Sequence, residues 1–176
     1  MAGLWRTYLR LLEKHPWKTQ VISTATLMSM GDALAQVYIE GKKKDYDIIR
    51  TARFFFFGTI YVGPALRTWY LTMERIFGAS RNTALLKVAA DQGCFAPAFL
   101  STFIAGMEFL RGGKLTEIKN KIKQDFVPVL ITNYKIWPAV QICNFYLVPF
   151  HLRILVVNIT ALGWNTYLAW MSEQQD

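Results

Sequence analysis

With 176 residues the chain has room for one domain, and its 53% hydrophobic, 15% aromatic and 18% charged make-up departs from the roughly 25% charged residues of an average soluble domain. A net charge of +8 would suggest nucleic acid if the basic residues lined one face. They fall instead between apolar segments, which suits lipid headgroups and gives no reason to expect direct nucleic-acid binding.

The chain opens on a basic amphipathic helix. Arg6, Arg10, Lys14 and Lys18 recur every fourth position, opposite an apolar arc of Leu4, Trp5, Tyr8, Leu9, Leu11 and Leu12 spanning about 160°. Such a helix is similar to a mitochondrial targeting sequence, and it also suits a helix lying flat at a membrane surface. No small-residue cleavage site follows, since His15-Pro16-Trp17 leads straight into the next apolar stretch. One membrane domain is therefore expected over 1–176, with the basic helix over 1–15 and a helical bundle over 17–171.

Five apolar segments make up that bundle: Trp17–Ile39, Phe54–Phe77, Leu85–Leu110, Phe126–Val148 and Phe150–Met171. Helix is the preferred reading for each, because a lone lipid-exposed strand leaves its backbone unpaired. The last is the clearest: Ile154–Ser172 holds no formal charge and crosses a hydrocarbon core of about 30 Å. Trp164, Tyr167 and Trp170 near its end suit a membrane–water interface. Others are interrupted by Arg67 or bounded closely by Asp91 and Glu108, and Pro149 makes either a hairpin or a kink. Four or five spanning helices are expected. A further short helix at the headgroups is expected over Lys114–Phe126, where Leu115, Ile118, Ile122 and Phe126 follow helical spacing among lysines. Lys and Arg divide almost evenly between the two sets of connectors, so charge does not set orientation.

Each ionised side chain within a span costs about 2.5–3.5 kcal/mol on insertion scales and so needs a reason. Ser29, Asp32 and Gln36 share an arc of about 60° on the first segment. Asp91 and Gln92 open the third, one turn after Lys87, the expected partner of Asp91. Gln141 and Asn144 share a face of the fourth with Asn133 and Trp137, while His151, Asn158, Asn165 and Ser172 recur every seven positions in the fifth. These faces are either interhelical glue, at about 0.6 kcal/mol per hydrogen bond, or the lining of a water-filled path.

Enzyme chemistry is not expected. His15 and His151 are far apart, and no glycine-rich phosphate loop or metal-binding cluster is present. No cofactor or metal is implied. Cys94 and Cys143 read as small core residues rather than a redox pair. Asn158-Ile159-Thr160 matches a glycosylation pattern but lies mid-segment.

The ordered motifs His15-Pro16-Trp17-Lys18, Gly31-Asp32, Val62-Gly63-Pro64, Trp69-Tyr70, Asp91-Gln92-Gly93, Phe95-Ala96-Pro97, Asn133-Tyr134, Trp137-Pro138-Ala139-Val140-Gln141, Asn144-Phe145, Val148-Pro149, Arg153 and Trp164-Asn165-x-Tyr167-Leu168 resemble, nearly end to end, the family of the 22 kDa peroxisomal membrane protein and Mpv-seventeen. The resemblance implies a helical membrane protein with four spans that forms a weakly selective channel. It further implies a link to membrane potential, oxidative stress responses, nucleotide supply and mitochondrial DNA maintenance. The mitochondrial inner membrane is the expected location, with the peroxisomal membrane as the alternative.

Residues and resemblance together lead to an oligomeric channel for small solutes or metabolites in the lipid bilayer, with a homo-oligomer as the expected assembly. The lining candidates are Ser29, Asp32, Gln36, Asp91, Gln141, Asn144, Asn158 and Asn165, with Gly63, Pro64, Pro97 and Pro138 shaping the helices. The competing reading is a non-conducting scaffold that acts through protein partners.

Overall fold

The computed structural model describes residues 2–78 and 80–173, and every regular element among them is helical. The side chains of Leu4, Trp5 and Ser172, which the sequence pattern used, lie outside the described residues.

Helix α1, Ala2–Lys14, does not lie apart from the bundle. His15 leaves helical geometry at φ −136°, Pro16 starts α2 (Pro16–Leu34), and α1 turns back along it. Thr19 Oγ1 donates to the Leu11 carbonyl at 3.0 Å, and Leu12 is buried. Proline suits the first turn of α2, where an N–H would have no partner.

Three helices contain a one-turn widening, and two of them continue beyond it. Helix α2 passes into a π turn over Ala35–Ile39. Helices α3 (Ile48–Phe57) and α4 (Gly63–Phe77) join through one at Gly58–Val62, and α5 (Ala84–Ala90) and α6 (Ala96–Leu110) through one at Asp91–Phe95. Pro64 and Pro97 each follow such a turn. A proline lacks the N–H for the α-helical bond and crowds the carbonyl one turn back, and a π turn absorbs both defects. Gly63 and Pro64, expected to shape the helices, thus follow a widened turn within a continuous helix.

Helix α7 runs unbroken over the 33 residues Leu115–Leu147, with Pro128 and Pro138 inside it. The separate headgroup helix expected at Lys114–Phe126 is therefore the first part of α7. Val148 and Pro149 take extended conformations before a short turn leads into α8, Arg153–Glu173, so Pro149 makes a hairpin.

Helices α2 and α8 form the most extensive interface, followed by α6 with α7. At the first, Gly31 admits close approach: a β-carbon there would stand 2.7 Å from Asn165 Cβ. Gly63 does the same for α2 and α4, since its β-carbon would lie 2.9 Å from Val21 Cα.

The distribution of side chains is inverted relative to a soluble domain. Asp32, Gln36, Arg50, Lys87, Asp91, Asn144 and Asn158 are buried, whereas Ile22, Phe55, Phe56, Ile60, Phe109, Leu147 and Ile159 are exposed. Cys94 and Cys143 are exposed too, contrary to the core placement expected for them, because the apolar environment lies outside this bundle as well as inside. By length and composition, Ala84–Leu110 is the one helix among the described residues long and apolar enough to cross a membrane.

Candidate functional site

Three buried polar clusters hold the charges. The first joins α2 to α3. Arg50 Nε lies 2.6 Å from Asp32 Oδ1, and its two terminal nitrogens grip Glu40 at 2.8 Å each. Thr51 Oγ1 and Gln36 Nε2 donate to Asp32 Oδ2 at 2.6 and 2.9 Å. Gln36 Oε1 accepts from the Asp47 N–H at 2.7 Å, and Asp47 caps α3 by accepting from the Arg50 N–H at 2.9 Å. Asp32 and Gln36 are fully buried. They tie the connector to α2 and do not line the cavity. Ser29, expected beside them, donates to Thr26 of its own helix at 2.9 Å.

The second cluster closes one end of the bundle. Lys87 Nζ lies 2.6 Å from Glu74 Oε1, and Arg153 binds the same oxygen. Arg153 Nε also donates to the Val148 carbonyl at 3.1 Å, which secures the α7–α8 hairpin. Both cations sit over the Phe145 ring. Lys87 therefore pairs with Glu74, and the one-turn Lys87–Asp91 pair expected from sequence does not form.

Asp91 belongs to the third cluster. Its Oδ1 accepts from Trp69 Nε1 at 2.8 Å, and its Oδ2 accepts from Gln92 Nε2 at 2.7 Å and from Gln141 Nε2 at 2.9 Å. All three donors are neutral. Among the described residues no cation lies within ion-pair distance of it. Tyr70 donates to Gln141 Oε1 at 2.9 Å and Asn144 donates to Tyr70 at 3.2 Å, so Asn144 stands one layer behind. Asn133 donates to Gln92 Oε1 at 3.0 Å.

This third cluster borders a central cavity of about 80 Å³ of water-accessible space, enough for several waters at about 10–15 Å³ each. Asp91, Gln141, Asn158 and Asn165 line it, as do Thr24, Gln92, Asn133 and Trp137. Ser29, Asp32, Gln36 and Asn144 do not. Asn158 is tethered across the wall, donating to Thr24 Oγ1 at 3.0 Å. One side is an aromatic ladder: Trp69 stacks on Phe95 at 4.8 Å, Phe95 on Phe99 at 5.2 Å, and Phe99 on Tyr61 at 5.8 Å. Opposite, Trp137 meets Trp164 edge-on at 6.1 Å, and its buried Nε1 has no hydrogen-bond partner.

The chain is 43% identical over 176 residues to the mitochondrial inner membrane protein Mpv17 of Xenopus laevis, covering 99% of both chains, and 40% identical over 176 residues to that of Danio rerio, again covering 99% of both. The chain belongs to the Mpv17 / PMP22 family. It is a protein of the mitochondrial inner membrane. The protein of the same name in Homo sapiens is 40% identical over 174 residues, covering 98% of this chain and 99% of its own. The family model itself matches residues 108–169, which carry Gln141, Asn144, Asn158 and Asn165. No solved structure matches the chain.

For this Mpv17 / PMP22 family member, the most important residues overlooked at the sequence level are Arg50, Glu74 and Trp69. Arg50 lies outside the apolar pattern and neutralises a buried aspartate from the next helix. Nothing in local spacing marks that pairing. Trp69 fell in a family motif, yet its indole N–H meets Asp91 only once the helices are packed.

Proposed function

We propose that the protein is a weakly selective channel for small solutes or metabolites, held closed here by the packing around its central cavity. Five helices, at 16–39, 48–77, 84–110, 115–147 and 153–173, give five crossings, with α1 folded on the first. The charges that lower their mean hydropathy, Asp32, Arg50, Lys87 and Asp91, are turned inward and buried. The observation that carries this reading is the cavity itself: space for several waters at the centre of an inverted bundle, bordered by Asp91, whose hydrogen-bond donors are all neutral. Space of this size beside polar side chains is large enough to hold water.

The path runs through each chain's own core, because the outward surface is largely apolar. A homo-oligomer would then carry parallel paths. Lys135 supports an assembly: it stands exposed within α7 between Tyr134 and Ile136, where facing lipid costs about 2.5–3.5 kcal/mol. Passage of small solutes would modulate membrane potential and thereby support nucleotide supply and mitochondrial DNA maintenance.

Purified protein in planar bilayers tests the reading. Stepwise conductance is expected, with cation preference reduced in Asp91→Asn and retained in Ser29→Ala. Silence from well-folded protein, or indifference to Asp91→Asn, would favour the non-conducting scaffold. That second reading draws on the closed hydrogen-bond circuits at Asp32 and at Asn158, which behave as interhelical glue.

A further inference from the structure

Arg67 lies within an apolar segment yet belongs to none of the three polar clusters. It sits on α4, is half-buried and does not line the central cavity. Among the described residues no carboxylate lies within ion-pair distance of it. Its partners are neutral. Nη1 donates to Gln20 Oε1, and the guanidinium carbon lies over the Trp17 ring, 5.6 Å from its centre. Nε is sealed in the protein without an acceptor, whereas Nη2, also without one, keeps accessible surface. Contact with an aromatic face uses no N–H donor, so the edge of the guanidinium at Nη2 is left for an outside acceptor.

The neighbours set the depth. Gln20 stands one turn into α2, which begins at Pro16, so it lies about 5 Å along the axis from the helix start. Trp17 is in the first turn and 45% exposed, and an indole so placed favours the level of the headgroups. Lys18, next in the chain, is exposed, as are Lys14 and His15 just before α2. The unpaired guanidinium therefore sits at the inner edge of the interface and not at the centre of the bilayer. A cation in a span needs a counter-charge, and at that depth the available anion is lipid phosphate.

We propose that Arg67, positioned by Gln20 and Trp17 where α2 meets α4, is the binding site for the phosphate of one anionic phospholipid. A guanidinium presents its donors in a plane that matches phosphate oxygens. Here Gln20, itself buried, fixes one terminal nitrogen and Trp17 fixes the face, so the remaining terminal nitrogen is held ready. Gly63 keeps the two helices close enough for the contact, since a β-carbon there would lie 2.9 Å from Val21 Cα. A choline headgroup carries its own cation beside the phosphate. A glycerol headgroup does not, so an uncompensated arginine selects the lipid of net negative charge. The inference rests on α2 and α4 being two of the crossings and not on conduction. Lipid held by a silent protein would uphold the site while refuting the channel, and conduction without a held lipid would do the reverse.

The test is native mass spectrometry of the full-length protein, delipidated in detergent and offered phosphatidylglycerol, phosphatidylcholine or soluble glycerol phosphate. Phosphatidylglycerol should be retained more tightly than phosphatidylcholine, by about fivefold or more, the scale of one charge at a membrane surface. Glycerol phosphate should neither bind nor displace it, because the acyl chains hold the headgroup at the depth of Arg67. Arg67→Gln should abolish the preference between the two lipids. Arg75→Gln, which removes an equal charge from an exposed position, should leave it intact. Arg67→Lys keeps the charge but loses the planar pair of donors, so the preference should shrink without vanishing. If Arg67→Gln does not fold, Arg67→Lys and the lipid series on the unaltered protein still decide the matter. The proposal is overturned if the two lipids are retained equally, if glycerol phosphate displaces the lipid, if a folded Arg67→Gln keeps the preference, if Arg67→Lys keeps it in full, or if Arg75→Gln loses it.

Discussion

Asp32 and Asp91 look alike along the chain: each is an aspartate followed within a few residues by a glutamine, inside an apolar segment. The folded protein treats them in opposite ways. Asp32 faces an arginine at 2.6 Å and two further donors, with Glu40 closing the other side of Arg50. Asp91 has three neutral donors and a cavity beside it. A buried carboxylate that is paired builds structure. One that is merely hydrogen-bonded, next to open space, is available for chemistry.

The largest expected effect comes from breaking the paired site. Arg50→Gln leaves Asp32 and Glu40 without their shared cation, and loss of one partner of a buried pair costs about 3–5 kcal/mol. Unfolding in mixed micelles measures it. The double variant Arg50→Gln with Asp32→Asn should regain part of that loss, because no uncompensated charge then remains between α2 and α3. A double variant as unstable as the single would show that Arg50 acts through Glu40 alone.

Much of the fold was legible from sequence for a simple reason. Apolar runs and charged connectors are local signals, and they placed the helices, while Pro149 marked a break without deciding between hairpin and kink. The continuity of α7 was hidden because the lysine-rich stretch before Phe126 has the pattern of a surface helix. Nothing local says whether such a helix stops at the membrane. Four of the eight candidates, Asp91, Gln141, Asn158 and Asn165, border the cavity, and their polar character at helical spacing made them visible. The other candidates lie away from the cavity for reasons spacing cannot express: Asp32 and Gln36 meet Arg50 and the Asp47 backbone across a connector. Ser29 shares their face yet turns back on its own backbone.

Asp91→Asn should cost less stability than Arg50→Gln, about 1.5–3 kcal/mol, the scale of hydrogen bonds to a charged acceptor. Trp69 keeps an oxygen to donate to, while Gln92 and Gln141, whose amides are held by Asn133 and Tyr70, lose the charged acceptor they share. The same micelle unfolding series ranks the two variants. Equal losses would mean that Asp91 is as structural as Asp32, and the contrast between the sites would fail.

Acid sharpens the contrast from the paired side. Burial works against ionisation of Glu40, yet its bonds to Arg50 and Lys42 outweigh that and hold the carboxyl below its ordinary value. A lowered folded value means that this stabilisation is complete above the ordinary carboxylate range and is lost as pH falls through the folded value. Unfolding midpoints of the unaltered protein and Glu40→Gln should therefore differ at about pH 7 and converge as pH falls towards about 3. A gap that stays constant with pH would show that Glu40 contributes by packing and not by charge.

The smallest effect is expected at Ser29, and it tests whether the first polar stripe acts as a unit. Ser29 Oγ donates to the Thr26 carbonyl within its own helix at 2.9 Å and joins neither aspartate cluster. Such a bond duplicates what the helix backbone already satisfies. Ser29→Ala should accordingly change stability by no more than about 0.5 kcal/mol, the range of substitutions away from buried networks. Conductance and its cation preference should be unchanged as well. A clear change in cation preference from this substitution, with folding intact, would place the α2 face back in contact with the path. It would mean that the conducting conformation rotates α2 away from Arg50, exposing Asp32 alongside Ser29 and dissolving the distinction between the two aspartates.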